Sequence, residues 1–134
     1  MKSPHPHFDD RGAHEWFTEL DPALRAAAER GATLLIELGR EACSQCRALV
    51  QGVLPHERVA PVVRERFVLL AADADDTEPA VEELAMKLDD AFMLPFVIFA
   101  DARGKFLGGL SGAVTPKRLL DALEEFAPDE RGPA

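Results

Sequence analysis

The 134-residue sequence contains two cysteines, Cys43 and Cys46, which are separated by Ser44 and Gln45. Two thiols at this spacing can cycle between a dithiol and a disulfide, because one thiolate attacks a substrate disulfide and the other resolves the mixed intermediate. Both cysteines follow an apolar run and open a helical pattern, so helix amides and the helix dipole favour a thiolate at the first cysteine. The sequence predicts dithiol chemistry with Cys43 as the nucleophile and Cys46 as the resolving thiol.

The elements that position this pair can be predicted from apolar periodicity and turn residues. Strands are predicted at residues 33–38, 67–72 and 96–99, with residues 105–110 as the hairpin partner of the third strand. Helices are predicted at residues 16–30, 43–51, 59–67 and 78–88, with a closing helix opened by Thr115 and Pro116. This alternation predicts an α/β fold with a central mixed sheet of four or five strands flanked by helices. The cysteines then lie just beyond the carboxyl end of the first core strand, where open α/β sheets place their sites.

The distribution of apolar residues predicts one domain at residues 14–128. Residues 1–13 carry prolines, histidines and acids without an apolar core segment, so we expect a flexible amino-terminal arm there. Residues 129–134 are predicted to form a carboxy-terminal tail.

Composition limits the classes of partner. The formal charge of −9 argues against nucleic acid or an anionic membrane as a partner. No secretory signal is visible, and the longest apolar run, at residues 91–100, is too short to span a bilayer. We therefore expect a cytoplasmic location, with the periplasm as the alternative. In the cytoplasm, a single cysteine pair indicates redox chemistry or metal binding more than a permanent crosslink.

Metal binding is the weaker of those two interpretations. A closed structural zinc site needs four ligands. Besides the two cysteines the sequence offers four histidines, three of them near the amino terminus, and it has no second Cys-x-x-Cys motif. We expect no metal and no organic cofactor.

Several motifs together resemble the thioredoxin-like superfamily, and in particular its compact, disulfide-isomerase-like group with a Cys-x-x-Cys pair. The resemblance covers roughly residues 16–126. It is carried by the cysteine pair and by four further features: Phe67-Val68 at the start of a strand, Asp73 at the end of that strand, Leu94-Pro95 before another strand, and Gly108-Gly109 in the hairpin. The resemblance implies the thioredoxin fold and a thiol-disulfide oxidoreductase activity.

The resemblance also implies roles for four residues outside the cysteine pair: Ala42, Leu94 and Pro95, and the acid Glu37. Pro95 is expected to be cis and to lie beside the cysteines. The backbone of Leu94 is expected to pair with a bound peptide strand, which would also touch the surface at Ala42.

An acid at the position of Glu37 is expected to lie beneath the cysteines and to relay protons to the resolving thiol. Burial would raise the pKa of such an acid, which suits a proton acceptor near neutral pH. The alternative for Glu37 is a solvent-facing position on an edge strand.

The sequence departs from the family pattern at two places. Ala42 stands where many relatives carry an aromatic residue. Ser44-Gln45 is neither the Gly-Pro of typical thioredoxins nor the Gly-His of many isomerases. Because the residues between the cysteines help to set thiolate stability, the reductase, oxidase and isomerase directions all stay open.

The sequence is therefore compatible with two classes of function. The first is a monomeric thiol-disulfide oxidoreductase that acts on protein or low-molecular-weight disulfides, exchanges electrons with a partner reductase and serves cell redox homeostasis. The second is a non-catalytic binding module that keeps the thioredoxin fold.

Overall fold

The structure, a computed structural model, describes residues 3–89 and 91–128 and contains one five-stranded mixed sheet. The strands are β1 Trp16–Phe17, β2 Thr33–Gly39, β3 Phe67–Asp73, β4 Phe96–Ala100 and β5 Phe106–Ser111. The helices are α1 Leu20–Arg30, α2 Ser44–Ala48, α3 Ala60–Arg66, α4 Pro79–Ala85 and α5 Pro116–Glu125. A π-helical turn, Leu49–Val53, extends α2.

Strand β2 lies at the centre of the sheet, whose strand order is β1-β3-β2-β4-β5. It pairs in parallel with β3 and antiparallel with β4, while β1 and β5 form the two edges. The predicted α/β class with a mixed sheet flanked by helices is confirmed.

Side-chain alternation along the strands builds two core layers on opposite faces of the sheet. The layer under α1 and α4 includes Leu34, Ile36, Val68, Leu70 and Ile98. The layer under α2, the π-helical turn, α3 and α5 includes Leu35, Cys46, Leu69, Val97 and Phe99. Glu37 has the same parity in β2 as Leu35. The alternation therefore directs Glu37 to the face that carries Cys46.

The sequence prediction of a helix at residues 16–30 is wrong at its first residues. Trp16 and Phe17 form a short strand that pairs in parallel with Leu69 and Leu70 of β3. The Trp16 N–H also donates a hydrogen bond to the Ser3 carbonyl at 2.8 Å. These backbone partners favour extended structure at Trp16, so the helix begins only at Leu20.

The amino-terminal segment also differs from the flexible arm expected at residues 1–13. Within the described part of this segment, His5, Phe8 and Asp10 are buried. The guanidinium of Arg47, on α2, lies 5.7 Å from the centre of the Phe8 ring. The segment is held by ring contacts and side-chain hydrogen bonds instead of a periodic apolar face. The predicted tail at residues 129–134 lies outside the described residues.

Asp10 is the main internal anchor of this segment. Its Oδ2 accepts hydrogen bonds from Trp16 Nε1 at 2.9 Å and from the His14 N–H at 3.3 Å. Its Oδ1 accepts one from the Gly12 N–H at 3.1 Å. The carboxylate therefore ties the segment to the first strand of the sheet.

No helix within residues 3–89 and 91–128 combines the length and the apolar character that crossing a membrane would require.

Asp10→Ala should lower the free energy of unfolding by about 1–3 kcal/mol, because it leaves the buried indole N–H of Trp16 without an acceptor. Asp9→Ala is a matched control, since Asp9 is exposed and its side chain accepts a hydrogen bond from the Arg11 N–H. The control should change the free energy by no more than about 0.5 kcal/mol. Denaturant unfolding of both variants measures the difference, and equal losses would contradict the anchoring role of Asp10.

Candidate functional site

The two cysteines occupy chemically different positions at the start of α2. Cys43 is the N-cap residue and is half-buried, whereas Cys46 is fully buried within the first turn. The two residues form a disulfide. The Cys46 N–H donates a hydrogen bond to Cys43 Sγ at 3.1 Å. In the reduced protein, a donor at this position would stabilise a thiolate on Cys43.

Glu37 lies on the other side of Cys46, in the central strand. Its side chain is buried, with 2% of its surface exposed, which excludes the alternative of a solvent-facing edge position. Its strand neighbours are Ala71 on β3 and Val97 on β4. A carboxylate is therefore buried in the core layer that also contains the inner thiol.

Gly39 shows how closely the carboxylate and that thiol approach each other. A Cβ atom at Gly39 would collide with both Glu37 Oε2 and Cys46 Sγ. The oxygen and the sulfur therefore lie against the same point beside the Gly39 backbone. The glycine leaves room for both groups.

Burial raises the pKa of the Glu37 carboxyl above its ordinary value, because the charged form loses its hydration. The hydrogen bond from His5 and the charges of His5 and His7 act in the opposite direction, and Asp73 adds to the increase. The carboxyl is thus a stronger proton acceptor than an exposed glutamate.

The partner of Glu37 comes from the amino-terminal segment. His5 Nε2 lies 2.7 Å from Glu37 Oε1, and both side chains are buried. The imidazole packs edge-on against the Trp16 ring at a centroid distance of 4.7 Å. The Phe8 ring stacks on it at 5.4 Å. Sequence reasoning missed His5, whose only signal was its place in a short Pro-His repeat.

The three residues predicted to bind substrate differ in exposure. Ala42 is exposed, Leu94 is half-buried and Pro95 is buried. The Leu94–Pro95 peptide bond is cis. Leu94 and Cys43 pack against the same core layer.

The loop before Pro95 carries two further residues that sequence reasoning missed. Phe92 is 85% exposed and Met93 is 64% exposed, which are high values for large apolar side chains. The Gly112 N–H donates to both the Met93 and the Pro95 carbonyls, at 2.9 and 3.0 Å, and so attaches this loop to the end of β5. Two exposed apolar side chains therefore directly precede Leu94 and Pro95 in this loop.

The two arginines that flank the cysteine pair in the sequence, Arg40 and Arg47, contact other groups. Arg40 forms an exposed ion pair with Asp75 at 3.4 Å, while Arg47 lies over Phe8. Among the residues that the structure describes, no group of three or more His, Cys, Asp and Glu side chains is arranged to hold a metal ion.

Comparisons with known proteins relate this geometry to one family. The sequence profile of a family described as thioredoxin-like matches residues 15–102. No curated protein sequence shows a significant match.

Solved structures share the fold at low sequence identity. A thioredoxin from Thermus thermophilus is 23% identical, covers 82% of this chain and 84% of its own, and has a TM-score of 0.64. A disulphide isomerase from Xylella fastidiosa Temecula1 is 19% identical, with coverages of 78% and 85% and a TM-score of 0.60. The oxidised DsbD C-terminal domain of Neisseria meningitidis is 20% identical, with coverages of 83% and 98% and a TM-score of 0.60.

The raised pKa of Glu37 predicts a pH dependence of stability in the oxidised protein. The folded state holds the carboxyl proton more tightly than the unfolded state, whose pKa is close to the ordinary 4.5. The free energy of unfolding should therefore fall as the pH rises from that ordinary value through the higher folded pKa. Glu37→Gln cannot ionise, so its stability relative to the wild type should increase over this interval and then level off.

Denaturant unfolding of both oxidised proteins between about pH 4 and about pH 8 tests this expectation. The other acids contribute equally to the pH dependence of both proteins, so the difference between the two stability curves reports on Glu37. Two parallel stability curves would contradict a raised pKa at this position.

Proposed function

The chain belongs to the thioredoxin-like family, and from this premise we propose that it is a thiol-disulfide oxidoreductase whose redox centre is Cys43 and Cys46. One observation carries the proposal: a half-buried sulfur at a helix amino terminus is joined to a fully buried sulfur that lies beside a buried carboxylate. This asymmetry suits one thiol for attack and the other for resolution.

In the reducing direction, the Cys43 thiolate attacks one sulfur of a substrate disulfide. A mixed disulfide forms, and the other substrate sulfur leaves as a thiolate. Cys46, once deprotonated, attacks Cys43 Sγ, which forms the Cys43–Cys46 disulfide and releases the second substrate sulfur. Two electrons pass from the dithiol to the substrate, and a partner reductase of the dithiol-disulfide class must return them.

Glu37 is the proposed proton acceptor for Cys46. A buried thiol resists ionisation, because its charged form is poorly solvated. A carboxylate with a raised pKa, adjacent to that sulfur, can take the proton as the second attack proceeds. The reverse transfer returns the proton when the protein is reduced again.

We propose that the substrate binds at the apolar surface around the outer cysteine. In this proposal the substrate contacts the exposed Ala42, the half-buried Leu94 beside the buried Pro95, and the exposed side chains of Phe92 and Met93 that precede Leu94 in the loop. An extended peptide around a protein disulfide can contact such a surface along its length, while a small disulfide contacts only the part beside Cys43. The substrate class is therefore protein disulfides first, with low-molecular-weight disulfides as poorer substrates.

Insulin reduction in the presence of a chemical reductant tests the catalytic proposal. The wild-type protein should accelerate precipitation of the insulin B chain over the reductant alone, because its dithiol is regenerated after each turnover. Cys43→Ser should return the rate to that of the reductant, since it removes the attacking thiolate. If the wild-type protein gives no acceleration, the non-catalytic binding module becomes the better description.

Trapping experiments assign the two cysteines separately. Cys46→Ser removes the resolving thiol, so the mixed disulfide that forms when the Cys43 thiolate attacks an insulin disulfide, with no chemical reductant added, should accumulate and survive non-reducing electrophoresis. Cys43→Ser, which retains Cys46, should trap nothing. Trapping by Cys43→Ser in place of Cys46→Ser would reverse the assignment of nucleophile and resolver.

A further inference from the structure

We infer that His5 is a positioning residue that assigns different tasks to the two oxygens of Glu37. It holds Oε1 by a hydrogen bond and leaves Oε2 as the oxygen that exchanges a proton with Cys46. This inference deepens the proposed function and rests on it.

The hydrogen bonds to the other ring nitrogen fix the tautomer of His5. The N–H groups of His7 and Phe8 both donate to His5 Nδ1, at 3.0 and 3.2 Å. A nitrogen that accepts two hydrogen bonds cannot carry a proton, so the ring proton lies on Nε2. This proton assignment follows from the positions of the heavy atoms.

The tautomer in turn determines the direction of the bond to Glu37. His5 Nε2–H donates to Glu37 Oε1 across 2.7 Å. Oε1 therefore acts as an acceptor whether the carboxyl is ionised or protonated. A proton that the carboxyl gains goes to Oε2, because a proton on Oε1 would face the imidazole N–H.

Oε2 is also the oxygen that lies against Cys46 Sγ in the space beside Gly39. Without its partner, the carboxyl group could rotate about its terminal torsion, for which several orientations are accessible. The His5 hydrogen bond selects the orientation in which the titrating oxygen lies beside the thiol. A proton thus moves between Cys46 Sγ and Glu37 Oε2, and His5 keeps its own ring proton throughout.

The surroundings of His5 make it a rigid support. Trp16 and Phe8 pack against its ring, and Asp10 fixes the Trp16 indole. His7 and Asp73 also contribute charge at Glu37, and they lie further out, 3.7 Å from each other and partly exposed. The amino-terminal segment thereby supplies a group that the central sheet itself lacks.

Three variants test the role of His5. His5→Phe keeps a ring of similar size between Trp16 and Phe8 but removes the N–H donor. His5→Gln keeps an N–H donor at a comparable reach. His56→Phe is the matched control, because it makes the same exchange at a half-buried histidine whose Nδ1 accepts a hydrogen bond from the nearby Arg58 N–H.

The first readout is the titration of the Glu37 side-chain carboxyl, followed by carbon NMR in the oxidised proteins. His5→Phe should move the Glu37 pKa further upward than in the wild type, because a hydrogen bond to the carboxylate is lost. His5→Gln should bring the Glu37 pKa most of the way back to its wild-type value, and His56→Phe should leave the titration of Glu37 unchanged. An unchanged titration in His5→Phe would overturn the inference.

The second readout measures the reactivity of Cys43 as a nucleophile separately from the resolution of a mixed disulfide by Cys46. His5→Phe should slow the release of a small thiol from a mixed disulfide at Cys43 by about tenfold, the rate equivalent of one hydrogen bond to a charged group. Alkylation of Cys43 by iodoacetamide should stay within about twofold, since the Cys46 N–H that faces Cys43 is retained. His5→Gln should recover release to within about threefold of the wild type.

The results distinguish the role of His5 from the proposed function. Equal slowing of release in His5→Phe and His5→Gln, with no rescue, would show that the histidine only packs the segment and would overturn the inference. A wild-type protein that is inactive on insulin would overturn the oxidoreductase proposal itself. If insulin reduction is intact and the Glu37 titration does not respond to His5→Phe, only the inference about His5 fails.

Discussion

The burial of one carboxylate in the central strand is the constraint on which the rest of the site depends. An ionised side chain removed from water is strongly unfavourable unless hydrogen bonds replace its hydration. Glu37 has Ala71 and Val97 as its strand neighbours, and these offer no polar side chain. Its partner is His5, from a segment that precedes the sheet. Within the part of the chain that the structure describes, no buried polar side-chain atom lacks a hydrogen-bond partner.

The same constraint explains why the amino-terminal segment is ordered. His5 can hold Glu37 only if its own ring is fixed, and the amides of His7 and Phe8 fix it. The segment that carries these amides is attached to Trp16 on both sides. Asp10 accepts a hydrogen bond from the Trp16 indole, and Ser3 accepts one from the Trp16 backbone N–H. Each link is a specific hydrogen bond, and buried polar networks of this kind stabilise a structure only when every member is satisfied. The short edge strand β1 is thus a structural part of the redox site.

The sequence predicted most reliably the features that depend on local pattern. The three core strands agree closely with their predicted ranges, because short apolar runs bounded by glycine or aspartate are typical of buried strands. The placement of Cys43 at a helix start followed from the same reasoning. The burial of Glu37 was predicted, although as one of two alternatives, because an isolated acid in an apolar run is uncommon.

The features that the sequence could not reveal all depend on tertiary contacts. Trp16 and Phe17 fit a helical spacing with Leu20, but pairing with β3 determines their conformation. His5 lies 32 residues from Glu37, and no periodicity links a polar residue to a partner at such a distance. The proline-rich, polar composition of its segment is typical of disorder. The segment packs through rings and hydrogen bonds, and these contacts leave no apolar periodicity in the sequence. The π-helical turn at Leu49–Val53 likewise runs beyond the end of the helix predicted at residues 43–51, where Gly52 had indicated a break.

The arrangement separates the groups proposed to control proton transfer from those proposed to contact a substrate. Glu37 and His5 are buried and bound to each other, so changes at the surface leave their geometry intact. Ser44 and Gln45 are exposed and lie between the cysteines, where substitutions alter thiolate stability without touching the buried pair. In the proposed mechanism, redox direction and proton relay can therefore be tuned independently. Cys46 is fully buried and Cys43 is not, so this mechanism makes the inner thiol depend on the carboxylate for its ionisation and the outer thiol on the helix terminus.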